Sequence, residues 1–406
     1  MEGSLLDILP AECLVIIIEY LYLSDHMHFT MTNKYYNTFF FPKRIQIKNV
    51  QDVTIGHRHE YITYLSDIFK YIIGNHDIDK KIIYISNQKL KNLFRFICTK
   101  LKYMTNDTYH HLFIAKTKFT SSNIFSMKMA PYSVTMNTNM VRTDRIISNK
   151  LASLVLDKIT PHILLPIMSF KTDITIFINM PSTTIPANLN RCYDNFRDNY
   201  NDYKKYVSVT IYEPHDTNLR YYLDENYSVM TLLHWKVIIF QILFTLDMIQ
   251  KKYPSFRHNE LKASAILIYR HDTIIKGNFY KYNVASKDFI LPYVNFQCRI
   301  YNFDLASIVG IVKNDFLKQK WWTKKYGNCT IPNRYYDMHF FLNYLCQMHQ
   351  KQIPEKILQF IHRIIPKPYR HIRGPAVNRL RLLVHDKYTT PEYVLLNDPL
   401  FDEFRK

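Results

Sequence analysis

Two stretches decide the fold: residues 258–268 read HNELKASAILI, and residues 300–306 read IYNFDLA. In the first, a polar loop with one carboxylate, Glu260, leads into the apolar run of residues 266–268. In the second, Asn302 and Asp304 stand on either side of an aromatic residue. Carboxylates can accept protons, and carboxylate or amide oxygens can bind hard cations. The two stretches therefore indicate a site that once handled, or still handles, charged groups.

The pair resembles the catalytic loop and the metal-binding loop of protein kinases, H-R-D-L-x-x-x-N and D-F-G. The resemblance places Glu260 at the family's base Asp, Ala265 at a metal-binding Asn and Asn302 at a metal-binding Asp. In all three positions the residue that should do the chemistry has been exchanged. The resemblance gives His258 and Asp337 structural roles, with Asp337 accepting backbone N–H bonds from the catalytic loop.

Four further stretches are similar to serine/threonine kinases of poxviruses and other large nucleocytoplasmic DNA viruses. They are WKVIIFQIL from Trp235, YPSFRHN from Tyr253, YNFD from Tyr301 and YYDMHFF from Tyr335. The resemblance covers roughly residues 110–406 and implies an α+β, bilobal kinase-like fold. We expect a small β-rich lobe over 106–215 and a larger helical lobe over 216–406, with the hinge near Glu213.

The small lobe lacks the glycines with which a kinase holds phosphates. No glycine occurs between Gly74 and Gly277, so a G-x-G-x-x-G loop is absent there. No cofactor is therefore required, although ATP with magnesium remains possible if nucleotide binding survives.

Lys128 stands where the resemblance puts the nucleotide-contacting lysine of a kinase. The helix predicted over 136–156 offers Asp144 or, just beyond it, Asp157 as the lysine's partner, but no Glu. Because Asp reaches less far than Glu, the ion pair of an active kinase is not assured. A lone strand lysine is otherwise an ordinary surface residue.

The exchanges weaken three catalytic roles together. Glu260 keeps the charge of Asp but moves its carboxylate by roughly 1 Å, and a misplacement of that order can cost about 100-fold in rate. Ala265 cannot bind a metal, and Asn302 offers a neutral oxygen where a hard dication prefers carboxylate. Asp304 is one possible replacement ligand. The pattern favours a pseudokinase; the alternatives are an atypical active serine/threonine kinase and a non-enzymatic virion scaffold.

The first 45 residues have a pattern of their own. Their apolar spacing predicts a helix after a first-turn proline, and two shorter helices follow. The segment resembles the F-box, with matches at Leu9, Pro10, Leu14, Ile18 and Leu21. The resemblance implies that these residues bind a Skp1-like adaptor of a cullin ubiquitin ligase, while the remainder holds an unknown protein target. The alternative is an amphipathic helix that packs on the following domain.

The remaining segments are read from hydrophobic periodicity. Residues 46–105 form a connector of uncertain structure, and Thr390-Pro391-Glu392 opens a helix near the end. We predict strands at 113–116, 124–129, 163–167, 174–178 and 207–212, a polar loop over 181–205 and a long helix over 232–249.

Composition limits the possible partners. The formal net charge is +19, but the basic residues are scattered, with denser places at 318–325 and at 370–373 with Arg379 and Arg381. Without a nucleic-acid-binding motif, this favours a lysine-rich surface over a nucleic-acid site. The six cysteines form no C-x-x-C pair, which is typical of reduced thiols. Charges interrupt the apolar runs and no signal peptide is visible, so we expect no membrane span and a protein of the host cytoplasm or the virion.

Overall fold

The computed structural model describes residues 58–63, 65–67, 69, 83–91, 100–107, 110–116, 123–133, 139–179, 190–270, 279–312, 314–319, 325–328, 330–384 and 388–406. The F-box-like segment and much of the predicted connector lie outside these residues. The described residues combine helices and sheets, which is the α+β class. They divide into two compact units: a first unit from residues 56–134 and 167–214, and a second unit from 135–166 and 215–406.

The strands of both units are numbered in chain order. They are β1 (Ile83–Tyr84), β2 (Lys100–Asp107), β3 (His110–Lys116), β4 (Asn123–Ser133), β5 (Pro166–Asp173), β6 (Tyr203–Tyr212), β7 (Thr217–Asn218), β8 (Ile266–Arg270), β9 (Phe279–Val284), β10 (Lys287–Pro292), β11 (Phe296–Ile300), β12 (Arg373–Gly374), β13 (Val377–Asn378) and β14 (Arg381–Leu382).

The α-helices are numbered in the same way. They are α1 (Asn139–Leu156), α2 (Thr175–Ile178), α3 (Asn190–Asp198), α4 (Leu219–Asn226), α5 (Leu232–Lys252), α6 (Tyr336–Met348), α7 (Glu355–Ile364) and α8 (Pro391–Asn397).

The first unit is built on a six-stranded sheet in the order β1-β5-β6-β4-β3-β2. The predicted strand pair at 113–116 and 124–129 is confirmed as part of β3 and β4, which pair antiparallel. Apolar side chains of this sheet, among them Phe113 and Phe125, are fully buried in one core cluster.

A helical stretch that includes residues 58–63 packs on this core, in the segment where the sequence predicts a connector of uncertain structure. Leu65 and Phe69 are buried, and the Phe69 ring meets the Phe125 ring edge-on at 5.6 Å. Arg58 forms a bidentate pair with Glu213, with Nε to Oε2 at 2.8 Å and Nη2 to Oε1 at 2.5 Å. Both side chains are buried, so each charge depends on the other.

Two predicted features of the first unit are wrong. Residues 174–178 form a turn and helix α2 instead of a strand, because Asp173 Oδ1 accepts a hydrogen bond from Thr175 N at 2.9 Å and starts a helical turn. The strand lies before this point, as β5. The predicted loop over 181–205 contains helix α3 and the start of β6.

The second unit is organised around α5, which confirms the predicted long helix. Thr231 caps it in a capping box with His234, and most of its side chains are buried. Among the described residues, α5 is the helix long and apolar enough to cross a membrane, yet 72% of its apolar window is buried inside the unit. Thr390 caps α8, with Pro391 in the first turn, as the sequence predicted.

Candidate functional site

Strand pairing within the second unit brings the two deciding loops together. The first loop precedes β8 and the second follows β11, and these strands pair antiparallel with Ile266 opposite Ile300. Both loops therefore emerge at the same end of the pair. The His258 imidazole donates from Nε2 to the carbonyl of Tyr301 at 3.0 Å, and Tyr301 N donates to the carbonyl of Ala265 at 3.2 Å.

The Asp337 carboxylate holds the backbone of the first loop. Its Oδ2 accepts from His258 N at 2.8 Å and its Oδ1 from Asn259 N at 2.9 Å. Asp337 lies in the first turn of α6 and is completely buried. Burial raises the pKa of this carboxyl, whereas His258, Arg257 and the two N–H donors act to lower it. The cradle also fixes Asn259 in the left-handed region, at φ 63°.

His258 is held as a neutral imidazole. Its Nε2 donates to Tyr301, and its Nδ1 accepts from the backbone N–H of Glu260 at 3.3 Å. One donor and one acceptor are what the neutral ring provides. Burial is the main cause that lowers the pKa of His258, so the ring links the two loops without carrying charge.

Glu260 is engaged by cations of its own chain on both carboxylate oxygens. Lys262 Nζ lies 2.8 Å from Oε1, and Arg381 Nη2 donates to Oε2. Arg381 also donates from Nε to the carbonyl of Asn259 at 3.2 Å, and its guanidinium lies 4.5 Å from the centre of the Phe340 ring. The Glu260 side chain is only 15% exposed. These contacts restrict where its carboxylate can reach.

The expected metal positions do not fit a kinase-type magnesium site. Ala265 is buried in a turn of 3₁₀ helix and has no donor atom. Asn302 is buried at φ 67° and can offer a metal only an amide oxygen. Asp304, two residues later, is the carboxylate nearest to it in the sequence. Among the described residues, no three His, Cys, Asp or Glu side chains are grouped as metal ligands. A kinase holds its magnesium ions with the D-F-G Asp and the catalytic-loop Asn, and neither of the positions assigned to them, Asn302 and Ala265, keeps that residue.

Lys128 and Asp144 lie in different units. Lys128 is a buried residue of β4 in the first unit, opposite Leu112 of β3 and Thr210 of β6. Asp144 is buried on α1 in the second unit, where its Oδ1 accepts from Phe303 N at 2.7 Å. Asp157, the other candidate partner of Lys128, forms an exposed pair with Lys252 at 3.3 Å. The nucleotide-contact role of Lys128 stays a prediction, and Asp144 supports the second loop.

Sequence reasoning missed the roles of Arg381 and Lys262. Lys262 stands two residues after Glu260, so its position in the loop was the available signal. Arg381 lies 121 residues from Glu260. The sequence showed it only as a member of a dense basic segment and gave no sign of its contact with Glu260. The F-box-like residues Leu9, Pro10, Leu14, Ile18 and Leu21 fall outside the described residues.

The chain is similar to proteins of Acanthamoeba polyphaga mimivirus. It is 36% identical over 334 residues to "Putative serine/threonine-protein kinase R400", a match that covers 78% of this chain and 71% of the relative. It is 35% identical over 78 residues to "Putative serine/threonine-protein kinase R301", or 19% of this chain and 20% of that one. A third, "Uncharacterized protein R402", is 24% identical over 241 residues, covering 57% and 25% respectively. No family model matches the chain.

Proposed function

The chain belongs to the serine/threonine-protein kinase family of its mimivirus relatives, and from this premise we propose that it is a kinase-like protein of a large DNA virus whose phosphoryl transfer is impaired and whose role is to bind other proteins. The observation that carries the proposal is the double engagement of Glu260 by Lys262 and Arg381. A catalytic base must reach the substrate hydroxyl within hydrogen-bond distance, and this longer carboxylate is held by Lys262 of its own loop and by Arg381 of a distant hairpin.

The exchanged metal positions support the same proposal independently. Phosphoryl transfer depends mainly on positioning and on neutralising phosphate charge. Ala265 contributes no oxygen and Asn302 no negative charge to that task. The bilobal layout of the kinase-like fold is part of this proposal.

A phosphorylation assay tests the impairment. Purified full-length protein is incubated with labelled ATP, magnesium or manganese, and a mixture of protein substrates. We expect no more incorporation from the wild type than from Glu260→Ala. Incorporation that is abolished by both Glu260→Ala and Lys128→Ala would overturn the proposal.

We further propose that the F-box-like segment joins this domain to a Skp1-like adaptor of a cullin ubiquitin ligase. This part is supported by the spacing of the apolar residues around Leu14 and Ile18 in the sequence. Pulldown of the adaptor by the full chain should be lost in Leu9→Asp and in Ile18→Asp, and kept in the matched variant Glu19→Gln, which changes a polar residue of the same segment. No binding at micromolar concentrations of the wild type would contradict the adaptor role.

The second candidate is an active, atypical serine/threonine kinase. It is favoured by the position of Lys262, a cation beside Glu260 that could move to a phosphate, and by the intact Asp337 cradle beneath the loop. Asp304 would then have to act as the metal-binding carboxylate. The phosphorylation assay above, repeated with Asp304→Asn, distinguishes this candidate, because only an active enzyme would lose incorporation in that variant.

A further inference from the structure

Two basic segments far apart in sequence meet in the second unit. Residues 325–328 pack on the small antiparallel sheet of β12, β13 and β14. Asn378 Nδ2 donates to the carbonyl of Lys325 at 2.9 Å. Gly327, at φ 77°, lies so close that an added Cβ would be 3.3 Å from Arg381 Cβ. This close approach places Tyr326 beside the turn that joins β13 to β14.

The Tyr326 ring is covered by cations. The Arg379 guanidinium lies 4.4 Å from the ring centre and the Lys325 ammonium 5.2 Å from it. Arg373, on β12 of the same small sheet, is exposed. Lys325, Tyr326, Arg373 and Arg379 are named here the basic hairpin cluster.

The two-residue turn between β13 and β14, which carries Arg379, has an unusual backbone conformation. Arg379 and Leu380 have φ of 48° and 71°, the pattern of a two-residue turn in which Asn-Gly is preferred. Non-glycine residues adopt this region at a conformational cost. Leu380 is buried, so its burial offsets that cost. Arg379 is less buried than Leu380, and its contact within the fold is the stacking of its guanidinium on Tyr326.

The cations of the cluster are not neutralised within the described chain. The ion pairs of the second unit include those of Arg381 and Arg363, but none joins Lys325, Arg373 or Arg379 to a described carboxylate. Like charges held near one another repel, and an anionic partner would relieve that repulsion. A guanidinium stacked on an aromatic ring keeps its N–H edges directed outward and can bind a carboxylate through two hydrogen bonds.

We propose that the basic hairpin cluster is a docking site for an acidic segment of a partner protein, whose Asp or Glu carboxylates are bound by Arg379 and Lys325. The inference rests on the proposed role in binding proteins and specifies the chemistry of the partner. An acidic peptide fits better than single-stranded nucleic acid, because the Arg379 guanidinium covers ring surface on which a base would stack. The same hairpin supplies Arg381 to Glu260, so the partner would dock beside the degenerate loop.

Fluorescence anisotropy with the full-length protein tests the site, with a labelled Glu-rich peptide as probe and its Gln counterpart as reference, at physiological ionic strength. We expect Arg379→Asn to weaken binding of the Glu peptide about tenfold, the loss typical of a charge-assisted bidentate pair. Its melting temperature should not fall, because Asn adopts the left-handed region readily. Lys356→Asn, which removes an exposed charge from α7, is the matched control and should leave the affinity within about twofold.

Three results would overturn the inference. The first is unchanged binding in Arg379→Asn, and the second is an equal loss in Lys356→Asn, which would mean that bulk charge alone attracts the peptide. The third is tighter, Arg379-dependent binding of a single-stranded oligonucleotide. Adaptor pulldown with the Arg379→Asn protein separates the two proposals, since adaptor binding that persists while the peptide result fails removes only the docking site.

Discussion

At the residue scale, Arg381 joins three parts of the candidate site. It holds the Glu260 carboxylate, the Asn259 carbonyl and the face of Phe340 at once. We expect Arg381→Ala to destabilise the second unit by about 2 kcal/mol, since Glu260 would keep Lys262 on one oxygen but lose the charged hydrogen-bond partner of the other. Arg381→Lys keeps the charge but not the planar fork, and it should lose about half as much.

Chemical denaturation of the two Arg381 variants provides the measurement. A Lys variant as unstable as the Ala variant would mean that the stacked guanidinium, and not its charge, holds the loop. An Ala variant with wild-type stability would contradict the role of Arg381 altogether.

A second residue-scale prediction concerns acid sensitivity. His339 is buried on α6, its Nε2 donates to the carbonyl of Tyr369 at 2.9 Å, and burial lowers its pKa to about 4. In the unfolded chain its pKa is about 6.5, so the unfolded state takes up the proton first. The stabilising effect of the neutral ring is therefore full above about pH 6.5 and is lost as the pH falls towards 4.

The variant His339→Gln isolates this effect, because Gln can donate the same hydrogen bond but does not titrate. Between pH 7 and pH 5 the wild type should lose about 2 kcal/mol more stability than the variant. Melting temperatures across that range provide the measurement, and parallel curves for the two proteins would contradict it. His371→Gln, which changes an exposed histidine outside the helices, should behave as the wild type does.

Residues of the candidate site differ in how far the sequence could reveal them. Glu260, Ala265 and Asn302 fall inside two contiguous motifs, so their positions could be read directly. Arg381 could not be placed, because its contact with Glu260 depends on the register of a hairpin 121 residues away. Contacts that depend on long-range register leave no local pattern in a single sequence.

At the scale of elements, the first turn of α6 fixes the loop before β8. The Asp337 carboxylate accepts from two successive backbone N–H groups, and an amide could accept from only one of them. We expect Asp337→Asn to cost about 2 kcal/mol, because the amide NH₂ would face a backbone donor in a fully buried position. Hydrogen exchange of residues 258–261 should rise in the variant.

The matched control for that variant is Asp315→Asn, which alters a carboxylate that is 47% exposed and pairs with Lys318. It should change stability by less than about 0.5 kcal/mol. If Asp337→Asn were as mild as this control, the carboxylate would not be what holds the loop.

Elements with strong local signals were predicted correctly, and those governed by a single side chain were not. The 3.6-residue periodicity of α5 and the cap at Thr390 sufficed to locate two helices. Residues 174–178 read as a strand because a short apolar run suits either structure. The helical turn is favoured by Asp173, whose carboxylate accepts a hydrogen bond from Thr175 N.

At the scale of the whole molecule, the chain belongs to a kinase family, and three positions that the resemblance assigns to catalysis carry other residues. One boundary between the units falls between Pro214 and His215, in the segment that the kinase resemblance assigns to a hinge, and two others fall after residues 134 and 166. The supports of the site, Asp337, Asp144 and His258, are all buried and hydrogen-bonded within the second unit. The proposed function separates the two roles: residues that support the loops are present, and residues at the catalytic positions are exchanged.

This separation gives a prediction about nucleotide. A ligand that binds only the folded state raises the melting temperature in proportion to its occupancy. Because Ala265 supplies no oxygen ligand and Asn302 only a neutral one, magnesium should add little to any binding of ATP. We expect ATP to shift the melting temperature of the full chain by the same small amount with magnesium as with a chelator.

The double variant Ala265→Asn with Asn302→Asp restores the two missing ligand types and should make the shift depend on magnesium. The single change Asn302→Asp is its control, since one carboxylate without the amide should restore less of the dependence. A wild-type protein that already requires magnesium for its shift would show that Asp304 or another oxygen has taken over as the ligand. In that case the active-kinase candidate would replace the pseudokinase, because the protein could again bind the magnesium that phosphoryl transfer requires.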